Sequence, residues 1–261
     1  MGELVLQKNN NQKTIKINTK MKNLTALAVV LAMTVSCSAQ WGKKVKGNGN
    51  VVTIERSTSD YDAISVSGWF DVDLVEGNEG ELTIEGESNL LEYIKTEVKG
   101  GKLILRTEKG INLKPSNWNN GIRITVPVES VNSIALSGSG DIVGKKTIKT
   151  DRLSTAMSGS GDITLDVVAS SVEASMSGAG DITLSGNTQD FEATISGSGD
   201  IKAFEMEADN VDATVSGSAD IKVTAKKMLK ARVSGSGDIT YKGNPEKLDT
   251  KTSGSGDISK G

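Results

Sequence analysis

Six residues, SGSGDI, stand at 137–142 and return with at most one change at 158, 177, 196, 216, 234 and 253. The starts lie 21, 19, 19, 20, 18 and 19 residues apart. Self-similarity at a short fixed period constrains a fold strongly. A unit of this size cannot bury its own apolar face, so successive units must stack on one another.

The flanks say what is stacked. In VEASMSGAGDITLSG (172–186), Val172, Ala174 and Met176 alternate with Glu173, Ser175 and Ser177, and beyond the hexad Ile182 and Leu184 alternate with Thr183 and Ser185. The next units repeat the pattern with Phe191, Ala193, Ile195, Ile201 and Ala203, then Val211, Ala213, Val215, Ile221 and Val223. Alternation with period two marks strands with one buried face. Two strands joined at the hexad, plus a looser return, make one coil. The expected fold is all-β: a right-handed parallel β-helix, or β-solenoid, with about 19 residues per turn. Only 3% of residues are aromatic, which suits a narrow core of aliphatic side chains.

Within the hexad, the second residue is Gly in every copy, as a crowded corner or a positive φ requires. The fourth is Gly except at Ala219, and the third is Ser except at Ala179, so no hydroxyl is indispensable there. The fifth is always Asp: Asp141, Asp162, Asp181, Asp200, Asp220, Asp238 and Asp257. Aspartates stacked about 4.8 Å apart repel one another, which raises a cation ladder as one reading. The calcium-binding nonapeptide needs a residue between Gly and Asp and a shorter period, and this hexad has neither. The favoured reading is turn structure, with Asp and Ser accepting hydrogen bonds from turn amides. No metal or cofactor is assigned.

Residues 40–136 are strand-rich but irregular and are read as N-terminal rungs and cap, with 137–261 as the regular solenoid. Ser67-Gly68-Trp69-Phe70-Asp71-Val72 is a degenerate hexad. Residues 89–101 suit a short helix or a strand ending at Gly100-Gly101, and 114–120 reads as an exposed loop. Trp69 and Trp118 are the candidates for ligand contact, with capping of the open core end as the simpler use. At the far end, 241–248 could fold over the last coil with Pro245 as breaker, or leave that end as a docking edge.

Catalysis finds little support. With no histidine in the chain, His-based triads and His-ligated metals are excluded. The pairs Asp71 with Asp73 and Asp209 with Asp212 are the carboxylates a glycan-cleaving site would use, yet Asp71 and Asp73 fit solvated exterior positions better. The net charge of −3 gives no reason to bind nucleic acid, and SGSG lacks the lysine of a phosphate loop.

The chain start reads as an export signal. From Met21, MKNLTALAVVLAMTVSCSAQ has Lys22 followed by an apolar run of 12 residues, Leu24 to Val35, too short to span a bilayer. Translation from Met21 is the preferred reading, with residues 1–20 otherwise a long n-region and 21–39 the signal peptide. The lone cysteine, Cys37, sits in TVSC, similar to a lipobox whose cysteine is lipidated. The rival is cleavage after Ala39.

The combination of YDAISVSGWFDVDLVEG, LLEYIKTEVKGGKLIL, GIRITVP and the serial hexads resembles the bacterial putative auto-transporter adhesin, head GIN domain family, common in Bacteroidetes. The resemblance covers about 43–261. It implies a right-handed β-helix and a cell-surface role. The expected function is a non-enzymatic, exported envelope protein, a binding module showing a repetitive polar face to a glycan or protein ligand. Its membrane contact is through a lipid anchor at Cys37, on the outer membrane, cell surface or periplasmic face, with a homo-oligomer as one assembly. A periplasmic scaffold or sensor with a protein partner is the alternative, and a polysaccharide-active enzyme comes third.

Overall fold

The computed structural model of the protein describes residues 42–117 and 121–261. It is almost all β, and its stacked parallel coils form a β-solenoid of about seven turns, about 19 residues apart. In the regular region each coil is a long strand broken only at the hexad. Thus β13 (Ile163–Met176), β14 (Asp181–Gly197), β15 (Asp200–Gly217) and β16 (Asp220–Gly235) lie in parallel register. Like residues sit over like: Ile163, Ile182, Ile201, Ile221 and Ile239 form one buried column. Met157, Met176, Ile195, Val215 and Val233 form another. Every inward residue expected from alternation between Val172 and Val223 is buried.

A third inner column runs Ile134, Thr155, Ala174, Ala193, Ala213, Ala231. Thr155 is fully buried, and among the described residues its hydroxyl has no hydrogen-bond partner.

Near the N-terminus, stacking order and chain order diverge. Strands β3 (Ala63–Gly68) and β4 (Asp71–Glu76) form a coil, with the degenerate hexad at its corner. On one side it carries β10 (Ser133–Gly138) and β11 (Ile142–Lys149), with Ser67 and Gly68 opposite Ser137 and Gly138, and Val72 opposite Ile142. On its other side lie β7 (Lys102–Thr107) and β9 (Arg123–Val128), which come later in the chain than β4. Residues 77–132 therefore leave the stack, build its N-terminal layers and return across it.

Those layers end in antiparallel strands. β6 (Ile94–Lys99) covers the edge of β7, while β5 (Glu81–Glu87) covers β9 and is itself covered by β2 (Val51–Ser57). This closes the parallel edges that would otherwise be free to pair with another chain. Residues 88–101 are both things their sequence suggested: a single helical turn, α1 (Ser88–Leu91), then β6, then a two-residue hairpin at Gly100-Gly101 with φ of +59° and +75°. Both glycines are in the left-handed region that this tightest hairpin demands.

At the other end, Tyr241 belongs to β17 (Ile239–Lys242) and Leu248 to β18 (Lys247–Gly254), and both strands pair with β16. Residues 241–248 are thus built into a coil rather than forming a lid. Pro245 sits in the link, and the inward-facing Leu248 is 51% exposed.

Candidate functional site

The two corners of the coil behave differently. At the hexad corner, backbones of successive coils touch. A Cβ on Gly159 would lie 1.9 Å from the Gly138 carbonyl oxygen, and one on Gly138 equally close to that of Gly68. The third residue uses its backbone rather than its side chain: the Ser160 N–H donates to the Gly138 carbonyl at 2.8 Å and the Ala179 N–H to that of Gly159 at 2.9 Å. Alanine therefore serves there as well as serine. In the first coil the fourth position holds Phe70, whose fully buried ring fills the corner that glycine leaves narrow elsewhere.

The aspartates do not close local turns. Each from Asp71 to Asp238 accepts, through Oδ1, the backbone N–H of the aspartate one coil further on. Asp71 binds Asp141 at 3.3 Å, Asp141 binds Asp162 at 2.9 Å, Asp162 binds Asp181 at 2.9 Å and Asp181 binds Asp200 at 3.2 Å. Asp200, Asp220 and Asp238 continue to Asp220, Asp238 and Asp257 at 3.3, 2.9 and 2.8 Å. Stacked carboxylates are stabilised by aligned amide dipoles, and Lys202 also pairs with Asp181. Among the described residues no group of three or more acidic side chains is arranged to hold a metal.

The carboxylates considered for catalysis are all paired with cations. Asp71 and Asp73 share a strand face, with Arg123 3.7 Å from Asp71 and Lys145 3.2 Å from Asp73. Asp209 meets Lys227 at 2.8 Å and Asp212 meets Lys230 at 2.7 Å. Trp69 is half-buried and packs on the core. The export signal with Cys37 lies outside the described residues, as do Trp41 and Trp118.

Every difference in repeat length is absorbed away from the hexad, in the stretch that runs from the strand after it to the opposite corner. Val143 pairs with Thr164, but the next pair is Thr147 with Asp166, so β11 carries two extra residues there. Thr183–Lys202 is followed by Ser185–Glu205, giving β15 one extra. From Ala203–Val223 the pairing jumps to Glu207–Thr224, and from Ala208–Ala225 to Asn210–Met228. These shifts account for hexad spacings of 21, 20 and 18. The hexad corner is held constant by direct backbone contact, whereas the length-variable corner is free to differ from coil to coil.

That variable corner carries a cleft of about 610 Å³. Five successive coils line it, contributing Thr150, Ser170, Asn187, Gln189, Glu207 and Lys226. Ala169 and the nearly buried Thr188 lie between its walls, and the Thr188 hydroxyl donates to the Asp190 carbonyl at 3.1 Å. One end is pinned by ion pairs of Lys226 with Glu207 and Lys227 with Asp209. The sequence signalled this place only through its uneven spacings.

Two buried anchors near the N-terminus had no sequence signal. Glu87 is fully buried and accepts N–H bonds from Gly49 and, at 2.6 Å, from Ser116. Burial pushes its carboxyl pKa up, and those hydrogen bonds outweigh burial and hold it below the ordinary range. Beside a second cleft of about 450 Å³, Glu79 accepts the Tyr61 N–H at 2.8 Å, and the Tyr61 hydroxyl donates to the Pro127 carbonyl at 2.5 Å. Burial, assisted by the Glu79 charge, raises the Tyr61 phenol well above its usual value.

A β-solenoid with one constant corner, one variable corner and a closed N-terminal end defines the class of molecule. The family described as "Putative auto-transporter adhesin, head GIN domain" matches residues 60–245, and the chain belongs to it. Among solved structures, a putative adhesin from Bacteroides fragilis NCTC 9343 superposes with a TM-score of 0.77 at 24% identity, over 83% of this chain and 99% of its own. A putative lipid binding protein from Parabacteroides distasonis ATCC 8503 gives 0.69 at 28% identity, over 84% and 100%. A putative adhesin from the same organism gives 0.67 at 23% identity, over 84% and 100%. A comparison with curated proteins finds no match.

Proposed function

We propose that this protein is a non-enzymatic, exported binding module of the bacterial envelope, anchored by a lipid on Cys37, and that its variable corner is the binding surface. Membership in a family described as adhesin heads supports this reading. The observation that carries it is the contrast between corners: backbone contacts and the aspartate ladder occupy the hexad corner, while the cleft opens where coil length is free to change. A surface repeated over several coils gains affinity by multivalent contact rather than by one deep pocket. No helix among the described residues is long and apolar enough to cross a membrane, and the attachment proposed is the lipid itself.

A second reading, contact with lipid, draws on the relative named as a putative lipid binding protein and on a shallow depression of about 290 Å³. Ser65, Ala135, Ala156, Ser175 and Thr194 help line it, on the outer face of the hexad-side strands. One pair of experiments separates the readings. Protease applied to intact cells degrades a surface-exposed protein and spares a periplasmic one. Beads coated with the full chain then adhere to cells under the first reading and to bare phospholipid vesicles under the second. Adhesion to neither would overturn the binding-module reading.

A further inference from the structure

We propose that the variable-corner cleft binds an extended, uncharged glycan laid along the solenoid axis, one sugar to each coil. The inference rests on the binding-module reading and names its ligand class. Direction decides first. The cleft crosses five coils at right angles to their strands, and adjacent coils are about 4.8 Å apart, so it runs about 19 Å along the axis.

Much of the backbone beneath it is paired in the parallel ladder between coils, as where Asn187 pairs with Glu207 and Thr188 with Ala208. A peptide laid along the axis crosses those strands instead of lying along a free edge, so strand addition has no continuous row of main-chain partners. A peptide also advances about 3.3 Å per residue and falls out of step with the coils at once. One coil spacing is close to the advance of one hexose in an extended β-linked chain, so the same kind of contact can recur sugar after sugar.

The chemistry agrees with the spacing. The amides of Asn187 and Gln189, the hydroxyls of Thr150 and Ser170 and the carboxylate of Glu207 line the cleft. Each can donate to or accept from the hydroxyls of a sugar ring. Apolar side chains are few there, which disfavours an acyl chain. Glu207 and the nearby Asp209 disfavour a polyanion such as a uronan, a sulfated glycan or a nucleic acid, because Lys226 and Lys227 are already neutralised by them. Among the described residues no aromatic ring lines the cleft, so affinity per sugar is modest and grows with the number of coils engaged.

The test is isothermal titration of the full chain with cellohexaose and chitohexaose, with hexagalacturonate as the charged counterpart. Binding of a neutral hexamer is expected, rising with chain length and levelling at about five sugars. The double variant Asn187→Ala, Gln189→Ala should weaken it about tenfold at an unchanged melting temperature. Failure of both neutral hexamers, equal binding by the double variant, or preference for hexagalacturonate overturns the proposal. If the hexamers fail while protein-coated beads still adhere to cells, the glycan assignment falls and the binding module stands. If the beads fail too, both fall.

Discussion

The Oδ1 atom of Asp162 accepts the backbone N–H of Asp181 at 2.9 Å, joining two residues 19 apart in the chain and one coil apart in space. Because Asp181 repeats the act toward Asp200, the aspartates form a staple along the solenoid. The bond needs an acceptor oxygen and not a charge. Asp162→Asn should therefore stay within about 0.5 kcal/mol of the parent, while Asp162→Ala should lose about 1 kcal/mol, read from urea unfolding midpoints. Equal losses in the two variants would show that the carboxylate charge, and not the acceptor oxygen alone, is what matters. By the same reasoning a chelator leaves the melting temperature unchanged.

Gly159 tests the backbone contact. A Cβ there would lie 1.9 Å from a carbonyl oxygen that cannot swing aside, so Gly159→Ala should cost about 3 kcal/mol. Ser160→Ala, one residue on, copies what Ala179 already does and should change stability by less than about 0.5 kcal/mol. Calorimetry of the two variants checks the contrast.

The hexad corner was legible because each copy makes the same contacts, so the sequence had to repeat. The Gly and Asp columns and the alternating core around Ala174 or Val215 could be located from the letters alone. The partner of each aspartate could not. A repeated motif looks the same whether its side chain bonds within its own coil or to the next, and only the stack decides. Nor could the threading of β7 and β9 beneath β3 and β4, since nothing in residues 102–128 repeats the hexad. The variable corner left only its uneven spacings. Glu87 gave no sign, because its partners at Gly49 and Ser116 are 38 and 29 residues away.

Thr155 occupies an inner column otherwise lined by Ile134 and alanines, and its hydroxyl is buried without a partner among the described residues. Thr155→Val keeps the shape and removes the unsatisfied group, so it should raise stability by about 1 kcal/mol. A lowered melting temperature in this variant would mean that the hydroxyl is satisfied after all.

Glu87 sets an acid limit on the N-terminal layers. Its folded pKa is lowered relative to an unfolded value of about 4.3, so its contribution is fully present above that pH. The contribution fades as pH falls through the lower folded value. Glu87→Gln should therefore flatten the loss of thermal stability on the acid side of about pH 4 and be less stable than the parent at pH 7. A parallel pH profile in variant and parent would remove Glu87 from this role.

The central claim is a division of labour between corners, and cell adhesion of coated beads tests it most directly. The variants to compare are Asn187→Ala with Gln189→Ala in the cleft, and Ser158→Ala with Ser160→Ala at the hexad corner. All should melt with the parent. The cleft variant is expected to lose most adhesion and the hexad variant to keep it. Loss in the hexad variant with adhesion intact in the cleft variant would contradict that division.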